Sequence, residues 1–366
     1  MMQPVVKFAK PDSSEFFSTL RKKVNAYFAE NKVSKNADSR MVVKTIVMLL
    51  LYFGPYFLIF SGQLSAWLVL ALCIVMGLGL AGIGFSIAHD ANHGAYSQNS
   101  RLNDLLSLTF NLIGGSSFTW RVQHNLLHHT YTNIYELDED IHDKPILRLS
   151  PHGKLKWIHR YQHWYAMILY SLSTVSWILM KDFVQVIHYN RSGLTQRSGY
   201  QPKSQMLILI ISKIFYFTYM LVIPLLFLPY AWWQILIGFL IMHMVAGFVL
   251  TIVFQCAHVV EGPSHHKPKL NGTMENTWAI HQLQTTANFA RNNKLLSWFV
   301  GGLNFQIEHH LFPHICHVHY KAISDIVRKT AKEFNLPYYD QPSFRGAIFS
   351  HWKILRQLGR GEALSF

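Results

Sequence analysis

Eight positions fall into three short clusters: His89 and His93; His124, His128 and His129; Gln306, His309 and His310. Within them imidazole and amide side chains recur three, four and five residues apart. Neutral imidazole binds Fe, Zn, Cu and Ni, and three clusters exceed what one closed four-ligand site can use. The spacing predicts a two-metal centre. Taken singly, each cluster also has a plainer reading. His89 and His93 lie one helical turn apart, which suits a solvated helix face as well as a ligand pair. In the second cluster, regular helix geometry puts His124 and His128 on one face and rotates His129 by about 100°, so adjacent imidazoles could serve two metals. Gln306 repeats that geometry ahead of His309 and His310, with an amide in place of the first imidazole.

Elements that could position these clusters are mostly membrane-length. Half of the 366 residues are hydrophobic and only 14% are charged. Apolar runs near twenty residues are what a roughly 30 Å hydrocarbon core requires. Four occur, at about 43–61, 65–87, 206–228 and 231–254, with a weaker fifth at 164–180 broken by Ser171, Ser173, Thr174 and Ser176. None of the 33 Lys and Arg residues falls in the turns at 62–64 and 229–230, whereas 11 fall in 88–204 and 12 in 256–366. The positive-inside rule therefore places both termini and the central segment in the cytoplasm. The second and third clusters share a membrane face only if an even number of crossings separates them, so 164–180 is read as an interfacial or re-entrant helix.

Further residues need sorting. His258 follows the fourth apolar run at the depth inferred for His89, where an imidazole is costly unless paired or ligating; it is assigned as a ligand. His243, inside that run, is expected to be a packed, hydrogen-bonded helix contact. His265, His266, His314, His317 and His319 are expected in solvated loops or in support of ligands. The acidic run 136–143, with Asp138, Asp140 and Asp143, is read first as a solvated loop, with orientation of ligand imidazoles as the sharper alternative. Cys73, Cys256 and Cys316 include no CxxC pair and are expected to be buried small hydrophobes. Residues 1–40 lack the short apolar core of a secretory signal. The formal charge of +14 favours anionic head groups and acidic partners. Nucleic acid is excluded as a partner, because no basic-aromatic motif accompanies that charge.

At these residues the chain resembles the membrane fatty-acid desaturases, whose histidine boxes run H(x)3–4H, H(x)2–3HH and (H/Q)xxHH in the same order relative to the spans. The resemblance covers roughly 40–340 and extends to His129-Thr130-Tyr131-Thr132-Asn133, to 282–289 and to 301–313. Gln306 is similar to the front-end subgroup, which inserts a double bond between an existing one and the carboxyl end; bacterial acyl-CoA or acyl-lipid desaturases look nearest. The resemblance implies an all-α integral membrane protein. Four transmembrane helices would carry a cytosolic helical cap with two non-haem Fe ions bound by His89, His93, His124, His128, His129, His258, His309 and His310. Gln306 stands at a further ligand position. It also implies three segments, at 1–42, 43–340 and 341–366, in a multi-pass protein of the bacterial inner membrane. The HPGG haem motif of a fused cytochrome b5 is absent, so a separate donor such as ferredoxin or cytochrome b5 would supply electrons, with O2 as co-substrate. Chemistry agrees: an unactivated C–H bond offers no acidic proton or leaving group, and a redox metal that activates O2 can attack it. A membrane di-iron hydroxylase or ketolase is the nearest alternative. A membrane cytochrome or metal transporter fits less well, since only His243 lies well inside a span.

Overall fold

The structure, a computed structural model, describes residues 6–10, 15–141, 145–269, 272–362 and 364. Asp143 of the acidic run lies outside them. The described chain is helical, apart from two three-residue strands, Ala287–Phe289 and Tyr339–Gln341, paired in parallel with Ala287 opposite Tyr339. Four helices are long and apolar enough to cross a bilayer: Ser39–Ile59, Ala66–Asn92, Pro202–Phe227 and Trp232–His258. They match the four apolar runs. The second and fourth extend past their apolar windows, far enough to carry His89 and His258. The second then ends at His93, where Gly94 adopts a left-handed φ of +69° that side chains rarely tolerate.

Two compact units emerge. One comprises 38–122 and 167–251, the other 1–37, 123–166 and 252–366, and the fourth span runs from the first into the second. In the first, the spans turn Val42, Ile46, Leu50, Ile211, Ile214 and Leu236 outward. Such a surface suits hydrocarbon, where every backbone polar group must be satisfied within the helix. Inward faces are narrow: a Cβ on Gly79 would lie 2.7 Å from the backbone of Leu51 and Tyr52, and one on Gly77 2.5 Å from the Met242 carbonyl oxygen. Small residues let the helices close to backbone contact, where dispersion replaces a hydrophobic driving force. His243 is fully buried, with Tyr216 Oη 2.6 Å from its Nε2 and Thr174 against the other nitrogen, the helix-contact role expected of it. All three cysteines are buried.

The weaker fifth stretch forms a helix pair, Trp157–Ser171 and Ser173–Ser192, bent by 57°. Its second half supplies a buried ion pair that no hydropathy pattern reveals. Asp182 accepts from Lys213 Nζ at 2.6 Å, from Thr119 Oγ1 at 2.6 Å and from Trp177 Nε1 at 2.7 Å. Lys213 also donates to the Gly114 carbonyl at 2.6 Å.

The other unit is built around one apolar cluster. Phe16, Leu20, Val24 and Phe28 recur every fourth residue on the helix Phe16–Glu30 and pack against Ile323, Val327 and Ala331 of the helix Tyr320–Glu333. The same cluster holds Leu283, Phe305, Ile307 and Leu311. The segment carrying His309 and His310 is only the six-residue helix Gln306–Leu311, too short to persist alone. Its apolar residues each gain roughly 1.5–3 kcal/mol on burial, so the cluster holds the third histidine group in place. Residues 341–366 contain the helix Phe344–Arg360, whose Ala347, His351, Ile354, Leu355 and Leu358 are buried in this unit.

Removing one partner of the Asp182–Lys213 pair leaves an uncompensated buried charge. Lys213→Met should destabilise the protein by about 3–5 kcal/mol. The double variant Asp182→Asn, Lys213→Gln removes both charges but keeps hydrogen-bonding groups, and should lose markedly less. Thermal aggregation midpoints in detergent compare the two.

Candidate metal centre

In the second unit described above, seven of the predicted site residues come together: His124, His128, His129, His258, Gln306, His309 and His310, all buried or nearly so. They form two groups. His128, His258 and His310 each direct one ring nitrogen into a space where the three nitrogens lie within 4.8 Å of one another. In the other group, His129 Nε2 is 3.2 Å from His124 Nε2 and 2.9 Å from His309 Nε2, while His124 and His309 are 3.4 Å apart. Ligands at right angles on one metal, each roughly 2.1 Å away, lie roughly 3 Å from one another. Each adjacent histidine pair therefore divides, with His129 and His309 in one group and His128 and His310 in the other.

Regular helix spacing predicts His124 and His128 on one face, and their rings do stack 5.3 Å apart, but His124 Nε2 also meets that of His129, which regular helix would turn away. Residues Arg121–His128 form a π-helical stretch, in which hydrogen bonds run from i to i+5. That widening aligns His124 with His129, five residues on, and leaves His128 for the other group. A second π-helical turn, Gly84–Ala88, immediately precedes His89.

Acceptors behind the rings set the chemistry. Nδ1–H of His128 donates to Asp138 Oδ2 at 3.0 Å, that of His258 to the Thr285 carbonyl at 3.2 Å, and that of His310 to Gln282 Oε1 at 2.8 Å. His309 Nδ1 lies 3.1 Å from Tyr320 Oη. A histidine whose Nδ1 donates is left with its Nε2 lone pair as the ligand atom. The Nε2 atoms of His128 and His258 are buried and have no hydrogen-bond partner, a cost that a bound cation would relieve. The residues therefore fit a metal ion. Gln306 lies beside His258, so the amide sits with the His128, His258 and His310 group.

Within the acidic run, Asp138 departs from the solvated loop first expected, whereas Glu136 is exposed. Asp138 is fully buried, taking the Asn133 and Asp140 amides at 3.0 Å each in addition to His128. Burial opposes charge on both partners. For Asp138 the facing imidazole outweighs it and lowers the carboxyl pKa; for His128 the Asp138 and Asp140 carboxylates outweigh it and raise the imidazole pKa. His317 and His319 are buried as well, whereas His314 is exposed. Burial pushes His265 and His281 down to about 3, with neighbouring imidazoles adding to the effect.

Several supporting residues escaped the sequence reading. His281 Nε2 donates to the Thr132 carbonyl at 2.8 Å, and Trp278 Nε1 to that of His129 at 2.9 Å. Asn133, at a left-handed φ of 55°, uses its amide to bind the carbonyls of His258, Ser264 and Thr285 at 3.0, 3.3 and 3.4 Å. Glu308, between two site positions, accepts from Asn288 Nδ2 at 2.8 Å and from Tyr338 Oη at 2.9 Å. Burial pushes its carboxyl up to about 7 against the pull of Asn288, Tyr338 and Arg291. The only prior signal was a charged residue in an otherwise buried stretch.

His89 and His93 belong to the other unit. Their rings are 4.7 Å apart, His89 Nδ1 lies 3.2 Å from Asp90 Oδ1, and Trp120 packs 5.6 Å from each.

With this geometry in hand, comparison with known proteins is informative. The sequence profile described as "Fatty acid desaturase" matches residues 65–342. The chain is 36% identical over 353 residues to the sn-1 linoleoyl-lipid 6-desaturase of Arthrospira platensis, covering 96% of this chain and 94% of that protein. It is 36% identical to the protein of the same name from Synechocystis sp., at 95% and 96% coverage. The acyl-lipid (8-3)-desaturase of Physcomitrium patens is 33% identical over 98% of this chain and 74% of its own length.

Glu308→Ala should remove one of the short helix's two side-chain ties to Asn288, the Ile307 amide keeping the other, and leave the buried Tyr338 hydroxyl without its acceptor, at about 1–3 kcal/mol. Desaturation should fall roughly 10–100-fold, as for other groups that orient metal ligands. Glu308→Gln, which can still accept from Asn288, should keep most of it. Equal loss in both variants, measured by product yield, would assign the carboxylate's charge a role that these hydrogen bonds do not explain.

Proposed function

This chain belongs to the fatty acid desaturase family and is an acyl-chain desaturase, a membrane oxidoreductase of lipid metabolism; we propose that it acts on an acyl chain esterified in a membrane glycerolipid. On this reading it inserts a cis double bond at carbon 6 of a linoleoyl chain, between an existing double bond and the carboxyl end. Support comes from the names of the two 36% identical relatives, both sn-1 linoleoyl-lipid 6-desaturases aligned over nearly their whole length. Gln306, the residue shared with front-end enzymes, supports it further.

The observation that carries the mechanism is the double convergence of imidazole nitrogens. We propose that His128, His258 and His310 hold one iron, with Gln306 beside it as a weak ligand or a hydrogen bond to bound water. His124, His129 and His309 hold the other, with His89 and His93 completing the set, as the order of the three clusters in the chain suggests. Two irons so held would supply the activation of O2 that removes one hydrogen from each of two neighbouring methylenes. With two electrons from a separate donor protein and two protons from solvent, O2 would leave as two waters and the chain would gain one C=C bond. The protein's own residues hold the ligands. Asp138, Thr285 and Gln282 keep Nδ1 of His128, His258 and His310 protonated and their Nε2 atoms free to bind, Tyr320 positions His309, and burial of the cluster excludes water. Neutral ligands leave the centre more positively charged than carboxylates would.

Expression in a bacterial host fed linoleic acid tests this, with products separated by lipid class and double bonds located by mass spectrometry. A new bond at carbon 6 in glycerolipid, an iron content near two per chain and loss of product in His129→Ala are expected. A product carrying an added oxygen would overturn desaturation. The new bond appearing first in acyl-CoA would overturn the lipid carrier.

Both termini and the segments bearing the clusters are proposed to lie on the cytoplasmic side of a bacterial inner membrane, with the bent pair Trp157–Ser171 and Ser173–Ser192 returning to its own face. Cysteines placed at Arg160 and Arg191 should then both react with an impermeant reagent from the cytoplasmic side. Reaction from opposite sides would make the pair a crossing.

A further inference from the structure

Beyond the spans, one exposed surface does not suit water. On the helix Trp157–Ser171 the side chains of Trp157, Tyr161 and Trp164 are 82%, 54% and 66% exposed. Phe349, on the C-terminal helix Phe344–Arg360, is 65% exposed. The two helices share this surface although nearly 190 residues separate them in sequence: Trp164 packs edge-on against Trp352 at 5.6 Å, and Phe349 stacks on Trp352 at 6.0 Å. The C-terminal helix buries its opposite face, through His351, Ile354, Leu355 and Leu358. Exposed around the aromatics are Lys154, Lys156, Arg160, Arg356 and Arg360. Glu362 lies 3.8 Å from Arg360, and Glu261 pairs with Lys353.

We propose that this aromatic and basic surface, including the C-terminal helix, lies in the headgroup layer of the membrane that the four spans cross, and binds anionic phospholipid there. Two features select a lipid surface over other occupants. Trp and Tyr favour the membrane–water boundary, where an apolar ring and a polar edge are both satisfied. Lys and Arg close to an anionic leaflet each contribute about 1 kcal/mol. A contiguous apolar patch with a charged rim marks an interaction site, but a second copy of this chain fits poorly, because symmetric pairing would bring two like-charged rims together. The site would be an interfacial anchor of the kind an amphipathic helix makes. The proposal rests on the cytoplasmic placement of the Trp157 helix given above. Phe349, however, lies outside every span, so its depth is read independently of whether 157–192 crosses.

Nitroxide labels at Phe349→Cys and Trp157→Cys test the anchor in the full-length protein in nanodiscs containing anionic lipid; the native cysteines are buried and resist labelling. Collision rates with O2, which concentrates in the bilayer, should exceed those with an aqueous nickel chelate at both positions. At Lys329→Cys, an exposed site on the helix Tyr320–Glu333, the order should reverse. Nickel-dominated collisions at 349 would overturn the anchor. Dipolar broadening between labels would overturn it in favour of self-association. Hydroxyl-radical footprinting of the unmodified protein needs no substitution: Trp157 should be shielded in nanodiscs, and heavy oxidation there would equally overturn the proposal.

Discussion

Everything in the centre depends on which nitrogen of each imidazole carries the proton. An imidazole offers one lone pair when neutral, and a metal can use it only if the other nitrogen holds the hydrogen. Here a carboxylate, a backbone carbonyl, a side-chain amide and a phenol occupy the Nδ1 side of His128, His258, His310 and His309. These partners come from three separate stretches: the 132–141 loop, the helix Trp278–Thr285, and the start of the helix Tyr320–Glu333. The surrounding unit therefore exists to hold acceptors as much as ligands. Asn133 illustrates this, joining the end of the fourth span to the 264 and 285 backbones with one side-chain amide.

Such a centre sits well at a membrane enzyme's polar end. An acyl-lipid substrate dissolves in the bilayer, whereas buried imidazoles and their acceptors need a polar, folded surround. Hydrocarbon demands continuous helix, and the second and fourth helices satisfy it by running unbroken from apolar residues to the histidines at their ends. Where the histidines begin, regular helix gives way: π-helical turns precede His89 and span His124 and His128. The i+5 bonding trades some backbone quality for a side-chain direction that a regular helix cannot provide, a substitution found repeatedly at functional sites.

The amide at Gln306 makes the two groups unequal. Its side chain accompanies His258, within the group that already has the Asp138–His128 contact. An amide oxygen is a poorer donor to a cation than an imidazole nitrogen, while an anionic Asp138 behind His128 makes that imidazole more basic. The other group places three Nε2 atoms within 3.4 Å without any amide.

Much was legible in the sequence because the relevant periods are short. Four apolar runs, the absence of basic residues from two turns and the histidine spacings are all local, and the membrane class, the four long apolar helices and most of the residues that the structure gathers into one cluster follow from them. His258 was found by its depth below a span, and His243 by its lack of companions. Tertiary structure decided the rest. The apposition of His124 with His129 came from a π-helical stretch that no residue type announces. Asp138, Gln282, Asn288 and Glu308 found their roles through partners 10 to 50 residues away, and Asp182 met Lys213 across 31. A solvated acidic loop and a buried imidazole support look the same in sequence, because burial is a property of what folds over a residue. Pairing of polar groups across the chain is set by three-dimensional distance, on which one-dimensional spacing is silent.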